Sequence, residues 1–121
     1  IQHKLPVKIF IINNQYMGMV RQWQELLHDK RYSHSYTDAL PDFVKLAEAY
    51  GAKGIRAQKP NELDKAINEM IEYDGPVIFD CVVEQNENVY PMIPSGKAHN
   101  EMLLGDETKK EEISDEGKVL V

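Results

Sequence analysis

At 121 residues, with 42% hydrophobic and 28% charged side chains, the chain has the composition of one ordinary globular domain with a real core. Its formal charge of -6 is uneven, since residues 101–121 hold seven acidic and three basic side chains and the body before them is nearly neutral. No Lys/Arg cluster interleaved with aromatics occurs, which argues against nucleic acid as a partner, and no apolar run approaches the ~20 residues that cross a bilayer.

The opening "IQHKLP" carries no initiator Met and reads as the end of a helix running into a strand, so the chain reads as a piece of something longer. Val7 to Ile12 is apolar apart from Lys8, the pattern of a parallel strand covered on both faces. A helix follows from near Met19. Its apolar residues Met19, Val20, Trp23, Leu26 and Leu27 fall on one stripe, with Arg21, Gln22, Gln24 and Glu25 opposite. The polar run "HDKRYSHSYTD" is a loop. After Pro41 and Asp42 a second helix groups Phe43, Leu46, Ala47 and Tyr50, and Gly51 stands where a helix stops.

A strand over Gly54–Ala57 leads to a third helix, opened by Pro60 and Asn61, with Leu63, Ala66, Ile67, Met70 and Ile71 on one stripe and Gly75 at its stop. Pro76 begins a β-branched run, "PVIFDCVVE", that reads as the third strand. The single Cys81 lies inside that run and reads as a small buried hydrophobe in a reducing, cytoplasmic compartment. The four histidines show no metal-ligand spacing. Alternating strands and helices specify an α/β fold: a parallel sheet flanked by helices, three layers in all. The charged stretch after Met102 is expected to be a solvated, mobile tail, so that 1–104 form the domain and 105–121 the tail.

In parallel α/β sheets, ligands bind beyond the carboxyl ends of the strands. Asn13 and Asn14 stand at that end of the first strand, and "NVYPMIPSG" follows the third, so both stretches are expected to border one crevice. An amide oxygen suits Mg²⁺ or Ca²⁺ when phosphates supply the charge, which makes Asn14 a candidate ligand and a nearby backbone carbonyl a second. Gly18 permits close approach of the backbone, and the helix beginning beside it aims free N–H groups at the same place. The alternative is turn chemistry, because asparagines tolerate unusual φ/ψ and bond to their own backbone. Met19 and Trp23 likewise have a plain reading as core residues of the stripe.

Four stretches, "IINNQYMGMVRQWQELLHDKRYSH", "PDFVKLAEAYGAKGIR", "GPVIFDCVV" and "YPMIPSGKAHNEML", closely resemble in order the C-terminal end of the acetolactate (acetohydroxyacid) synthase catalytic subunits, and "GKAHNEML" resembles the bacterial form. The resemblance covers residues 1 to about 104. It implies the C-terminal part of a thiamine-diphosphate-binding fold, from an enzyme that decarboxylates pyruvate and condenses the product with pyruvate or 2-oxobutyrate in branched-chain amino acid synthesis. It further implies Mg²⁺ held by the Asn14 side chain and the Tyr16 carbonyl, with Gly18, Met19 and Val20 against the cofactor. Met19, Val20, Trp23, Ser95 and Gly96 match the substrate and herbicide channel, Trp23 favouring 2-oxobutyrate as acceptor.

The family's Gly-Asp-Gly half of the metal motif, its catalytic glutamate and its FAD-holding domain have no counterpart in these residues. The chain alone is therefore expected to be inactive. The resemblance also implies homodimers or homotetramers, a regulatory small subunit and the remainder of the catalytic chain as partners. Two other readings stand beside it: another thiamine-diphosphate enzyme of the oxidase/decarboxylase group, and a non-catalytic α/β interaction module.

Overall fold

The structure, a computed structural model, describes residues 1–3 and 5–105. Three strands, β1 (Lys8–Asn13), β2 (Lys53–Ala57) and β3 (Val77–Val82), form a sheet in the order β1-β3-β2. Both pairings are parallel: Lys8 stands opposite Val77 and Asn13 opposite Val82, while Lys53 stands opposite Val77 and Ala57 opposite Cys81. Between the strands lie α1 (Gly18–Leu27), α2 (Phe43–Ala49) and α3 (Pro60–Glu72).

The path from β1 to β2 crosses the sheet in one direction and the path from β2 to β3 returns, so right-handed crossovers must put their helices on opposite faces. They are. Ala66 and Met70 of α3 bury Ile55, Ala57, Val77, Phe79 and Cys81 on one face, with Leu63 and Ile67 packed alongside. On the other face α2 lies so close that a Cβ on Gly54 would come 2.7 Å from Val44 Cα. Phe10 extends the α3-side core sideways, its ring 4.5 Å from Phe79 in an edge-to-face pair. Cys81 is a buried free thiol, and burial pushes its pKa up, as expected of a packing residue.

The helix signals act as expected at several ends. Asp42 caps α2, its Oδ1 accepting the Val44 and Lys45 N–H groups at 3.1 and 3.3 Å. Gly51 closes α2 at φ +72°. At α3 the Glu62 carboxylate reaches back to the Gln58 and Lys59 N–H groups at 2.9 and 3.2 Å.

Three expectations are corrected. β1 is an edge strand of this sheet and is not covered on both faces: Ile9, Phe10 and Ile12 are exposed, Ile12 to 63%. α1 is inverted relative to its pattern, with Arg21 and Gln22 buried while Met19, Val20, Trp23 and Leu27 are exposed. The buried guanidinium is paired through its two Nη groups with Glu25 and with the Glu87 carbonyl, the latter at 2.9 Å, which offsets the cost of its burial. Tyr50 and Ile71, each expected on a buried face, are 64% exposed, Tyr50 standing just past the end of α2 and Ile71 beside the buried Met70.

The described residues fall into two compact units that divide after Glu87. In the second, the described residues are tied by a Met92–Leu103 bridge with bonds of 2.9 and 2.7 Å. The expected tail lies, from residue 106 on, outside the described residues.

Candidate functional site

β1 delivers the chain to the carboxyl edge of the sheet, and two consecutive asparagine turns follow. Asn13 Oδ1 accepts the Gln15 N–H at 3.1 Å, and Asn14 Oδ1 accepts the Tyr16 N–H at 3.1 Å. Between them Gln15 adopts φ +58°, the left-handed conformation that asparagine-type turns accommodate. The turn chemistry considered for this pair is therefore present. It does not consume the pair, because an amide oxygen has two lone pairs and each uses one on these bonds.

The 28–42 loop braces the turn. Thr37 donates to the Gln15 carbonyl from both its N–H and its Oγ1 at 2.8 Å, and Met17 donates its N–H to the Ser35 carbonyl at 2.7 Å. These bonds flank the Tyr16–Tyr36 bridge, so the Tyr16 carbonyl turns away from residues 35–37. The two rings are 5.1 Å apart, and the Arg21 guanidinium lies 5.8 Å from the Tyr16 ring centre. Gln85 Nε2 reaches Gln15 Oε1 at 2.6 Å from beyond β3.

α1 then starts at Gly18 with no side-chain cap and no acidic residue in its first turn. Its leading N–H groups and the positive end of its dipole are left for another acceptor. A Cβ at Gly18 would stand 3.3 Å from Asn14 Nδ2, tighter than most side chains tolerate, so glycine here lets the helix start sit against the Asn14 amide. The result is two neutral oxygens, Asn14 Oδ1 and the Tyr16 carbonyl, beside an uncapped helix N-terminus. That set fits a hard divalent cation shared with a polyanion, which brings the charge that the protein oxygens lack. Among the described residues, no group of three or more His, Cys, Asp or Glu could hold a metal.

Met19, Val20 and Trp23 line a groove of about 740 Å³ along α1, with Gln24, His28 and Arg31. Trp23 is 48% exposed there and is not a core residue. Ser95 and Gly96 belong to the second unit, where Lys97 N–H bonds the Pro94 carbonyl at 3.1 Å and Gly96 takes φ +79° at the third position of the turn.

Comparison with known proteins decides the family. Residues 1–81 match the C-terminal TPP-binding domain of thiamine pyrophosphate enzymes. The chain belongs to this thiamine pyrophosphate enzyme family. It is 50% identical over 103 residues to an acetolactate synthase large subunit of Cyanidium caldarium, covering 84% of this chain and 18% of that one. It is 44% identical over 107 residues to the acetolactate synthase isozyme 3 large subunit of Escherichia coli, covering 86% and 19%. A solved thiamine diphosphate-dependent 4-hydroxybenzoylformate decarboxylase of Rhodococcus jostii superposes with a TM-score of 0.60 at 29% identity, covering 72% of this chain and 16% of that one. The chain thus spans about a fifth of the length of these curated relatives.

In this thiamine pyrophosphate family member, one charged network escaped the sequence reading. Asp80, 1% exposed in β3, receives the Arg56 Nε–H at 2.8 Å and the Asn13 Nδ2–H at 2.8 Å, and Arg56 Nη2 also reaches Asp42 at 2.9 Å. These pairs hold the Arg56 pKa above its ordinary value, the hydrogen bond to Asp80 contributing most. The signal was present in "VIFDCVV" and "GIRA", where one acid and one base interrupt neighbouring apolar strands.

Proposed function

We propose that residues 1–104 are the C-terminal portion of the diphosphate- and Mg²⁺-binding domain of an acetolactate synthase catalytic subunit. The observation that carries this reading is the turn from Asn13 to Gly18, with two protein oxygens and an uncapped helix start at the carboxyl end of β1. Identity of 44–50% to large subunits of that enzyme supports it over another member of the family. Asn14 Oδ1 and the Tyr16 carbonyl would hold Mg²⁺, and the N–H groups of Gly18, Met19 and Val20 would donate to the diphosphate. When bound, thiamine diphosphate supplies the electron sink for decarboxylating pyruvate and joining the two-carbon unit to pyruvate or 2-oxobutyrate.

Met19, Val20 and Trp23 form an apolar wall that orients the acceptor and keeps water from the reacting carbon. Ser95 and Gly96 are further channel residues on the strength of the resemblance, and the same wall is the herbicide site. FAD, the regulatory small subunit, a homodimeric or homotetrameric assembly and a cytoplasmic setting belong to the same proposal. With only two metal oxygens of its own at this turn, the 121-residue chain by itself is inactive. The test is acetolactate formation from pyruvate by the full-length catalytic chain carrying this segment. Product that requires both thiamine diphosphate and Mg²⁺ is expected; decarboxylation to aldehyde without condensation would instead favour a decarboxylase.

A further inference from the structure

We infer that Asp80, clamped between Arg56 and Asn13, is a positioning group for the metal-binding turn, and that it acts through the orientation of the Asn13 amide. This rests on the proposed role of Asn14 and Tyr16. Asp80 lies mid-strand, opposite Ile11 on one side and Arg56 on the other, and is 1% exposed. A carboxylate there is costly unless each oxygen is paired, and an apolar residue of similar size would serve the sheet as well or better. Stability is thus a poor reason for it.

Its geometry supplies a better one. Oδ2 takes the Arg56 Nε–H at 2.8 Å, which leaves Oδ1 facing Asn13, where it accepts Nδ2–H at 2.8 Å. A carboxylate can only accept, so the Asn13 amide must present its NH₂ to Asp80 and its oxygen to the other side. That oxygen takes the Gln15 N–H at 3.1 Å and starts the turn in which Gln15 sits at φ +58°. One residue on either side of Gln15 stand the two groups that would bind the cation. Arg56 is itself held by Asp42 at 2.9 Å, so the clamp is anchored to the start of α2 as well as to β2. A flipped Asn13 amide would point a donor at the Gln15 N–H, and the turn would open.

The experiment uses the full-length catalytic chain with Asn13→Ala, Asp80→Asn and their double variant, and Asn14→Ala as reference. Mg²⁺ is titrated calorimetrically at fixed thiamine diphosphate, and cofactor-free melting temperatures are recorded. Each single change is expected to weaken Mg²⁺ binding by roughly 10- to 100-fold, as loss of a ligand-orienting partner does. The double variant should be no weaker than the worse single one, because the two act in series.

Unchanged Mg²⁺ affinity in Asn13→Ala, with Asn14→Ala weakened, overturns the positioning role and leaves the proposed function standing. Additive losses in the double variant also overturn it. If Asn14→Ala itself leaves Mg²⁺ binding unchanged, the functional reading fails and this inference with it. Should Asp80→Asn not fold, Asn13→Ala, which keeps the Asp80–Arg56 pair, decides alone.

Discussion

Asn13 and Asn14 are adjacent and chemically identical, yet they face different tasks. Asn13 turns its amide into the sheet toward Asp80, whereas the Asn14 amide lies against the start of α1 beside Gly18. Sequence alone offered turn or ligand as alternatives, and the two prove compatible at Asn14 because one lone pair makes the turn. Trp23, by contrast, departs from its plain reading as a core residue. A stripe of Met19, Val20 and Trp23 ordinarily packs inward, but here the indole is half exposed on a groove. Trp23→Leu in the full-length enzyme should therefore shift the melting temperature little while lowering the preference for 2-oxobutyrate over pyruvate. A wall that discriminates one methylene contributes about 1–3 kcal/mol, so a change of ~10-fold or more in product ratio is expected in a competition assay. An unchanged ratio with a large drop in melting temperature would return Trp23 to a packing role.

At the scale of elements, α2 is held by close approach and by charge. Gly54 admits the α2 backbone, since a Cβ there would meet Val44 Cα at 2.7 Å and Val44 O at 2.8 Å. Gly54→Ala must push α2 off the sheet and should cost about 1–3 kcal/mol, read as a fall in denaturant midpoint. The Lys45 N–H, the Val44 N–H and Arg56 lower the pKa of Asp42, the Lys45 bond most of all and burial opposing. A carboxyl whose folded pKa is depressed adds stability that is fully present above its ordinary value near 3.9 and is lost as pH falls through the folded value. Midpoints measured from pH 6 downward should drop on entering that window, and Asp42→Asn, which can still cap, should show a shallower drop. The order of elements and the core of α3 on β2 and β3 were legible because hydrophobic period and Pro/Gly punctuation are local signals. Which face of α1 is buried was not. Periodicity names a stripe that needs cover without naming what covers it, and the buried face of α1 is secured by Arg21 with Glu25 and Glu87, a polar solution that no apolar pattern encodes.

At the scale of the molecule, a small three-stranded sheet presents one polar strand-end turn and a run of exposed apolar side chains on β1 and α1. The chain spans about a fifth of the length of its acetolactate synthase relatives. No helix among the described residues is long and apolar enough to cross a membrane. Under the proposed function, two neutral oxygens and a bare helix start need a polyanion and further ligands beside them, which ties this turn to Mg²⁺ and a diphosphate. The most direct test of that tie is the Mg²⁺ and thiamine diphosphate activation curves of the full-length enzyme with Asn14→Ala. A ligand role for Asn14 predicts that both curves shift to higher concentration, Mg²⁺ the more strongly, while the cofactor-free melting temperature stays near that of the parent. Curves that overlay those of the parent would contradict it and leave Asn14 as a turn residue alone.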